Sequence, residues 1–197
     1  EGLSMWYYTD KETGEKKTTT TNSSADYYLC GDPNPDLYGG FGTTLNVYGF
    51  DLSAQFSYTI GGKTYDYGYA GIMANPTASS VGNRWHKDIA DAWSPENTGS
   101  NIPRWYFNDL YTTSMSDRFL MDGSYLSLQN VQVGYTIPKK YTSYLGIDNL
   151  RLYFVCDNVY YWSKRKGLDP RRSYTGVGAS GKISPLRTFT GGISLQF

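Results

Sequence analysis

Apolar and polar residues alternate along several stretches of the chain. Between 50 and 60 every even position is apolar (Phe50, Leu52, Ala54, Phe56, Tyr58, Ile60), and every odd one is polar (Asp51, Ser53, Gln55, Ser57, Thr59). A period of two is the signature of a strand with unlike faces. Just upstream the odd positions Phe41, Leu45 and Val47 carry the apolar side, with Thr43 among them. A two-residue turn at Tyr48-Gly49 accounts for the switch, because it sets Val47 opposite Phe50 and on the same side. In 124–137 the apolar parity moves from Leu126 and Leu128 to Val131, Val133 and Tyr135, which predicts a bulge near Gln129-Asn130. In 149–160, Leu150, Leu152, Phe154 and Cys156 oppose Arg151, Tyr153 and Asp157, with Val155 as the exception. In 187–197 the odd side is mostly apolar (Phe189, Ile193, Leu195, Phe197), and the even side is small or polar (Thr188, Thr190, Gly192, Ser194, Gln196). The pattern predicts an all-β fold with strands near 40–48, 50–60, 124–137, 149–160 and 187–197.

Strand length and loop length narrow the class. The segments 50–60 and 187–197 each run 11 residues, the length a tilted membrane-spanning strand needs and about twice the usual globular strand. The connections 48–49 and 138–148 are short, whereas 61–123 and 161–186 are long. Loops of such length are uncommon in compact domains unless they are functional. Short turns on one side and long loops on the other is the asymmetry of an outer-membrane barrel. On this arithmetic Phe197 lies on the periplasmic side. Phe189, Ile193 and Leu195 then face lipid, with Thr188, Thr190, Ser194 and Gln196 toward a polar lumen.

The long connection 61–123 carries its own pattern. "RWHKDIADAWSPEN" places Trp85, Ile89 and Trp93 four residues apart, which predicts a two-turn helix ending before Pro95. Trp85, Trp93, Arg104 and Trp105 read either as the loop's own small core or as an aromatic platform for a ligand. In "GDPNPD", Asp32, Asn34 and Asp36 have the opening spacing of a calcium loop. Leu37 and Thr43 then stand where Gly and Glu belong, so a turn is expected.

Composition excludes more than it selects. Of 197 residues, 18 are Lys or Arg and 18 are Asp or Glu, so no basic stripe points to nucleic acid. The 20 tyrosines and 22 glycines suit strands and turns. No apolar run is long enough for a transmembrane helix, and a mean hydropathy of −0.52 is compatible with alternating barrel strands. Cys30 and Cys156 are expected as two unpaired thiols. With His86 the only histidine, neither a two-histidine metal site nor a Ser-His-Asp arrangement is expected. The chain opens on Glu1 without a signal peptide, and is expected to be a piece of a longer, processed polypeptide.

Six stretches in order resemble the SusC/RagA family of TonB-dependent outer-membrane transporters of Bacteroidetes. They are "GDPNPDLYGGFGTTLNVYGFDLSAQFSYTIGGKTYD", "RWHKDIADAWSPENTGSNIPR", "RFLMDGSYLSLQNVQVGYTIPKK", "LRLYFVCDNVYYW", "GLDPRR" and "SPLRTFTGGISLQF". The resemblance covers residues 30–197. Residues 1–29, with "KETGEKKTTTTNSS", match nothing specific and are expected to belong to a variable surface loop, 1–38. The resemblance implies that 39–197 is the C-terminal part of a plugged barrel of 22 strands, its strands about 18 to 22. Five strands cannot close such a barrel, so the remaining wall and the N-terminal plug must come from the rest of the transporter. It further implies import of oligosaccharides or peptides across the outer membrane of a Gram-negative bacterium, a SusD-like surface lipoprotein as lid, and energy from TonB through the missing N-terminal part. No cofactor, metal or catalytic residue is implied. Phe189, Ile193, Leu195 and Phe197 would form the barrel-assembly signal. Trp85, Trp93, Arg104 and Trp105 are the candidates for substrate contact. The alternative weighed is a secreted aromatic-rich β-sandwich that binds carbohydrate. A hydrolase is disfavoured because Asp88, Asp91 and Glu96 lack any pairing pattern.

Overall fold

The structure is a computed structural model and describes residues 2–78, 84–109, 112, 114–164, 169–172, 177–178 and 184–197. Two compact units emerge from the contacts. The first comprises Glu1–Gly31, Tyr65–Met121 and Val177–Gly181, and the second Asp32–Thr64, Asp122–Gly176 and Lys182–Phe197. These boundaries cut across the 1–38 and 39–197 division drawn from sequence.

In chain order the strands are β1 (Trp6–Thr9), β2 (Lys16–Thr19), β3 (Leu37–Val47), β4 (Phe50–Ile60), β5 (Lys63–Asp66), β6 (Leu120–Asp122), β7 (Tyr125–Ile137), β8 (Asn149–Ser163), β9 (Val177–Gly178) and β10 (Thr188–Gln196). Two short helices, α1 (Tyr67–Ile72) and α2 (Lys139–Thr142), interrupt them.

The second unit is built on a five-stranded sheet in the order β10-β8-β7-β4-β3, with every neighbouring pair antiparallel. Spatial order follows chain order, so the sheet is an up-and-down meander whose long connections leave from one end. Two strands are longer than read from sequence, whereas β10 covers nine residues in place of the eleven expected. Strand β3 starts at Leu37 and β8 runs on to Ser163. The hairpin has Val47 opposite Phe50, and its turn residues have φ of 49° (Tyr48) and 86° (Gly49). Positive φ at both positions is what a type I′ turn demands, and glycine supplies one of them without strain. Gly49 also accepts the Thr136 N–H at 2.8 Å, and a Cβ there would lie 2.9 Å from the Thr136 carbonyl.

The bulge is present where the parity shift placed it. On both flanks the register of β7 slips between Leu128 and Asn130, leaving Gln129 as the inserted residue relative to β4. On β8 the matching irregularity is Asn158, at φ 53°. Without that slip, Leu126 and Leu128 would point to the opposite face from Val131 and Val133.

With the register fixed, the five strands share faces. One carries Phe41, Leu45 and Val47 with Phe50, Leu52 and Phe56. It continues through Leu126, Leu128, Val133 and Tyr135 to Leu152, Phe154, Tyr160 and Trp162, and ends at Phe189, Ile193 and Leu195. Rings meet along it: Phe41 stacks on Phe56 at 4.9 Å and Phe154 on Phe189 at 6.0 Å, and Phe50 packs tilted against Tyr135 at 4.4 Å between centroids. Yet this face is not covered. Phe41, Leu45, Phe50, Phe154, Phe189 and Ile193 are all exposed, Ile193 to 66%. A β-sandwich would lay a second sheet over such a face, and these exposures run against that alternative.

The first unit has its own small core. Tyr65, Ala70, Met73 and Phe119 (0% exposed) are buried, with Tyr69, Ile89, Ile102 and Leu120 packed on them. Asp66 caps α1 by accepting the Tyr69 N–H at 2.9 Å, and β5 pairs with β9 in parallel through Tyr65 and Val177. Strands β1 and β2 form a separate hairpin, closed by a Lys17–Asp10 ion pair.

Candidate functional site

The sequence offered one aromatic cluster, and the structure divides it in two. Trp85 and Trp105 meet edge to face at 5.5 Å, and the Trp85 indole N–H donates to the Ala74 carbonyl at 2.9 Å. Trp105 remains 45% exposed. Trp93 is held elsewhere in the same unit. Its N–H donates to the Ile102 carbonyl at 2.9 Å, and its ring closes over Gly2, where a Cβ would come within 2.5 Å of it. Arg104 joins this second group through its N–H to the Gly2 carbonyl at 2.8 Å, and its guanidinium lies 4.8 Å above the Tyr106 ring.

The expected two-turn helix is not formed. Residues Lys87–Asp91 make a 3₁₀ turn capped by the His86 ring, and Ala92 is already extended (ψ 154°). With three residues per turn, positions four apart do not stack, so Trp85, Ile89 and Trp93 cannot make one stripe. Only Ile89 of the three enters the core; Met73, Asn75, Ile102, Pro103, Trp105, Thr112 and Arg118 join it around a crevice of about 10 Å³. That is room for one water and no larger ligand. Burial pushes the Arg118 guanidinium down and the Tyr65 phenol up. The 32–36 segment is a turn, in which the Asp32 carboxylate accepts the Asn34 N–H at 2.8 Å. Among the described residues, no group of acidic, cysteine and histidine side chains could hold a metal, and Cys30 and Cys156 are both free thiols.

On the polar face of the five-stranded sheet lie interactions that sequence reasoning missed. Arg151 on β8 reaches across β7 to Asp51 on β4, with Nε and Nη2 donating at 2.9 and 2.5 Å. Gly134 makes this crossing fit, because a Cβ there would collide with both side chains. At the bulge, Gln129 donates to Ser57 Oγ and Asn130 to Asp157, each at 2.7 Å. With Gln55 and Asn158 these amides line an open depression of about 550 Å³.

Further along the same face, Arg171 makes two 2.8 Å bonds to Asp169, donates to Ser127 Oγ at 3.1 Å, and stacks on Tyr161 at 4.6 Å. Ser127 is fully buried beneath it (0% exposed). Burial works to raise the Asp169 carboxyl, yet the Arg171 bonds hold it below the usual carboxylate range. The signal for this cluster was the "DPR" of "GLDPRR", whose packing partners Ser127 and Tyr161 belong to distant strands. Of the residues expected from sequence to form an assembly signal, Phe189, Ile193 and Leu195 share the apolar face, and Phe197 follows β10 as an exposed residue.

Comparison with known proteins gives one answer from two directions. The chain is 31% identical over 185 residues to TonB-dependent receptor P3 of Formosa agariphila, covering 89% of this chain and 18% of that protein. It is 28% identical over 181 residues to TonB-dependent receptor SusC of Bacteroides thetaiotaomicron, covering 90% of this chain and 17% of that one. It thus spans under a fifth of the length of the curated relatives it matches. No family model matches. By fold, the whole chain aligns with 21% of a chain of the RagAB peptide transporter at a TM-score of 0.79 and 24% identity. The RagAB peptide importer in its "open-open" state gives a TM-score of 0.76 at 21% identity. These values establish a shared fold. Sequence and fold agree with the alternating strands: over about nine-tenths of its length the chain is homologous to TonB-dependent receptors, SusC among them, and its fold is that of the RagAB chain.

Proposed function

We propose that this chain is a section of the wall of a TonB-dependent outer-membrane transporter, together with loops on its outer side. The observation that carries this reading is the sheet with two unlike faces. Five adjacent strands present one continuous exposed apolar surface, which water would disfavour and lipid would accept. The opposite surface is amide, hydroxyl and paired charge, as a barrel lumen is. In this reading β3, β4, β7, β8 and β10 are strands 18 to 22 of a 22-stranded barrel, and the segments before β3, between β4 and β7 and between β8 and β10 lie outside the cell. The remaining strands, the plug and the contact with TonB belong to the rest of the same transporter. A SusD-like lipoprotein covers the mouth. The cargo is an oligosaccharide or a peptide, moved by binding and gating without bond chemistry. The names of the SusC and RagAB relatives support this assignment. Phe189, Ile193, Leu195 and Phe197 serve as the assembly signal.

Within this reading the exposed edge of Trp105, braced by Trp85, is the aromatic surface offered to cargo, with Trp93 and Arg104 shaping the loop beside it. In cells carrying the complete transporter, Trp105→Ala should reduce accumulation of labelled oligosaccharides or peptides while leaving outer-membrane abundance unchanged. Unchanged uptake of both cargo classes would leave the tryptophans as packing for the loop alone.

A further inference from the structure

Arg151 and Arg171 are each held by a carboxylate, Asp51 and Asp169. Arg118, in the first unit, is held differently. Its guanidinium lies 5.3 Å over the ring of the fully buried Phe119, and among the described residues no carboxylate pairs with it. The acids closest at hand are engaged elsewhere. Asp117 accepts from the Tyr28 hydroxyl at 2.6 Å, and Asp88 from the Tyr69 hydroxyl at 2.8 Å. Burial works against the charged form of Arg118, and a cation drawn out of water without a counter-charge is costly. An anion supplied from outside the chain would offset that cost.

Arg118 borders the crevice of about 10 Å³ together with Trp105, Asn75 and Thr112. Asn75 and Thr112 are 6% and 7% exposed, and both donate to the Asp109 carbonyl at 3.4 Å, too long for a strong bond. Three donor groups thus border a space that one oxygen atom fills and a sugar ring or a peptide unit does not. The body of a ligand would stay outside, where Trp105 is exposed.

We infer that Arg118 makes this loop selective for cargo bearing an anionic group, a carboxylate or sulfate ester that lowers one oxygen into the crevice while the rest of the cargo lies on Trp105. This rests on the reading of Trp105 as the surface offered to cargo. Guanidinium suits such an oxygen, because it stays charged and its N–H donors make charge-assisted bonds to oxyanions. Neutral cargo at the same place would leave the cation uncompensated and gain the aromatic contact alone. One charge-assisted bond of this kind corresponds to a preference of about tenfold.

The test uses cells carrying the complete transporter and two matched pairs of labelled probes. One pair is an alanine-rich peptide with a single glutamate and the same peptide with glutamine in its place. The other is a glucose oligosaccharide ending in glucuronate and its uncharged parent. The unmodified transporter should accumulate the acidic member of at least one pair about tenfold more than its neutral partner, and the pair that shows this identifies the cargo. Arg118→Gln should remove the preference by lowering the acidic member alone, at unchanged outer-membrane abundance, and Arg118→Lys should restore part of it. Equal accumulation within both pairs by the unmodified transporter overturns the inference whether or not the variants assemble. A preference that survives Arg118→Gln overturns it too. If cells with the unmodified transporter accumulate neither pair, the cargo reading of Trp105 falls and this inference with it.

Discussion

Single residues decide where side chains can meet, and two glycines in β10 show it. Gly191 faces open space, whereas a Cβ on Gly192 would collide with the ring of Tyr153 directly opposite. The ring lies over the glycine, filling the gap a missing side chain leaves. Gly192→Ala is expected to cost about 1–3 kcal/mol, as overpacking does, and Gly191→Ala nearly nothing. Heat-modifiable gel migration of the membrane-extracted transporter distinguishes them, with a lower transition temperature for Gly192→Ala alone. A second residue-scale effect depends on pH. The Tyr28 hydroxyl donates to the Asp117 carboxylate at 2.6 Å, and this bond raises its ionisation to about 12. A folded value above the unfolded one means the contribution to stability is whole below pH 10 and is lost as pH rises through about 12. Alkaline difference absorbance between the parent and Tyr28→Phe should show this phenol ionising near 12, and Asp117→Asn should return it toward 10. Neither pairing was legible in the sequence, because each joins residues whose proximity only the register or the loop path creates.

At the scale of elements, parity carried most of the fold. It fixed the hairpin at Tyr48-Gly49, the bulge at Gln129 and the two faces, since a one-residue slip would expose the wrong side of every strand. Deleting Gln129 removes the slip and turns Leu126 and Leu128 toward the polar side and Ser127 toward the apolar side. The deletion should abolish assembled barrel in outer-membrane fractions. Gln129→Ala, which loses only the bond to Ser57, should cost about 1 kcal/mol and still assemble. Helical spacing misled where parity did not. A stripe of Trp85, Ile89 and Trp93 is compatible with an α-helix. The His86 cap and the extended Ala92 instead admit only one tight turn, so the tryptophans went to different neighbours. The long connection 61–123, read as a loop with one helix, also contributes β5, α1 and the core around Phe119. Its core residues are scattered, which no periodic template detects.

For the molecule as a whole, the charge balance and the two faces answer different questions. Equal numbers of basic and acidic residues give no basic stripe of the kind nucleic acid calls for, and the faces bear on what surrounds the sheet. Cargo identity was not legible, because tyrosine, tryptophan and arginine serve sugars and peptides alike and the loop aromatics engage one another first. The central claim is that the five strands are a wall between lipid and a polar lumen. Cysteine substitution at successive positions of β10, in the complete transporter lacking Cys30 and Cys156, tests it most directly. In isolated outer membranes, a water-soluble maleimide should react at Thr190 and Ser194 and spare Phe189, Ile193 and Leu195. A lipid-soluble maleimide should reverse the pattern. Equal reaction at both parities would contradict the account.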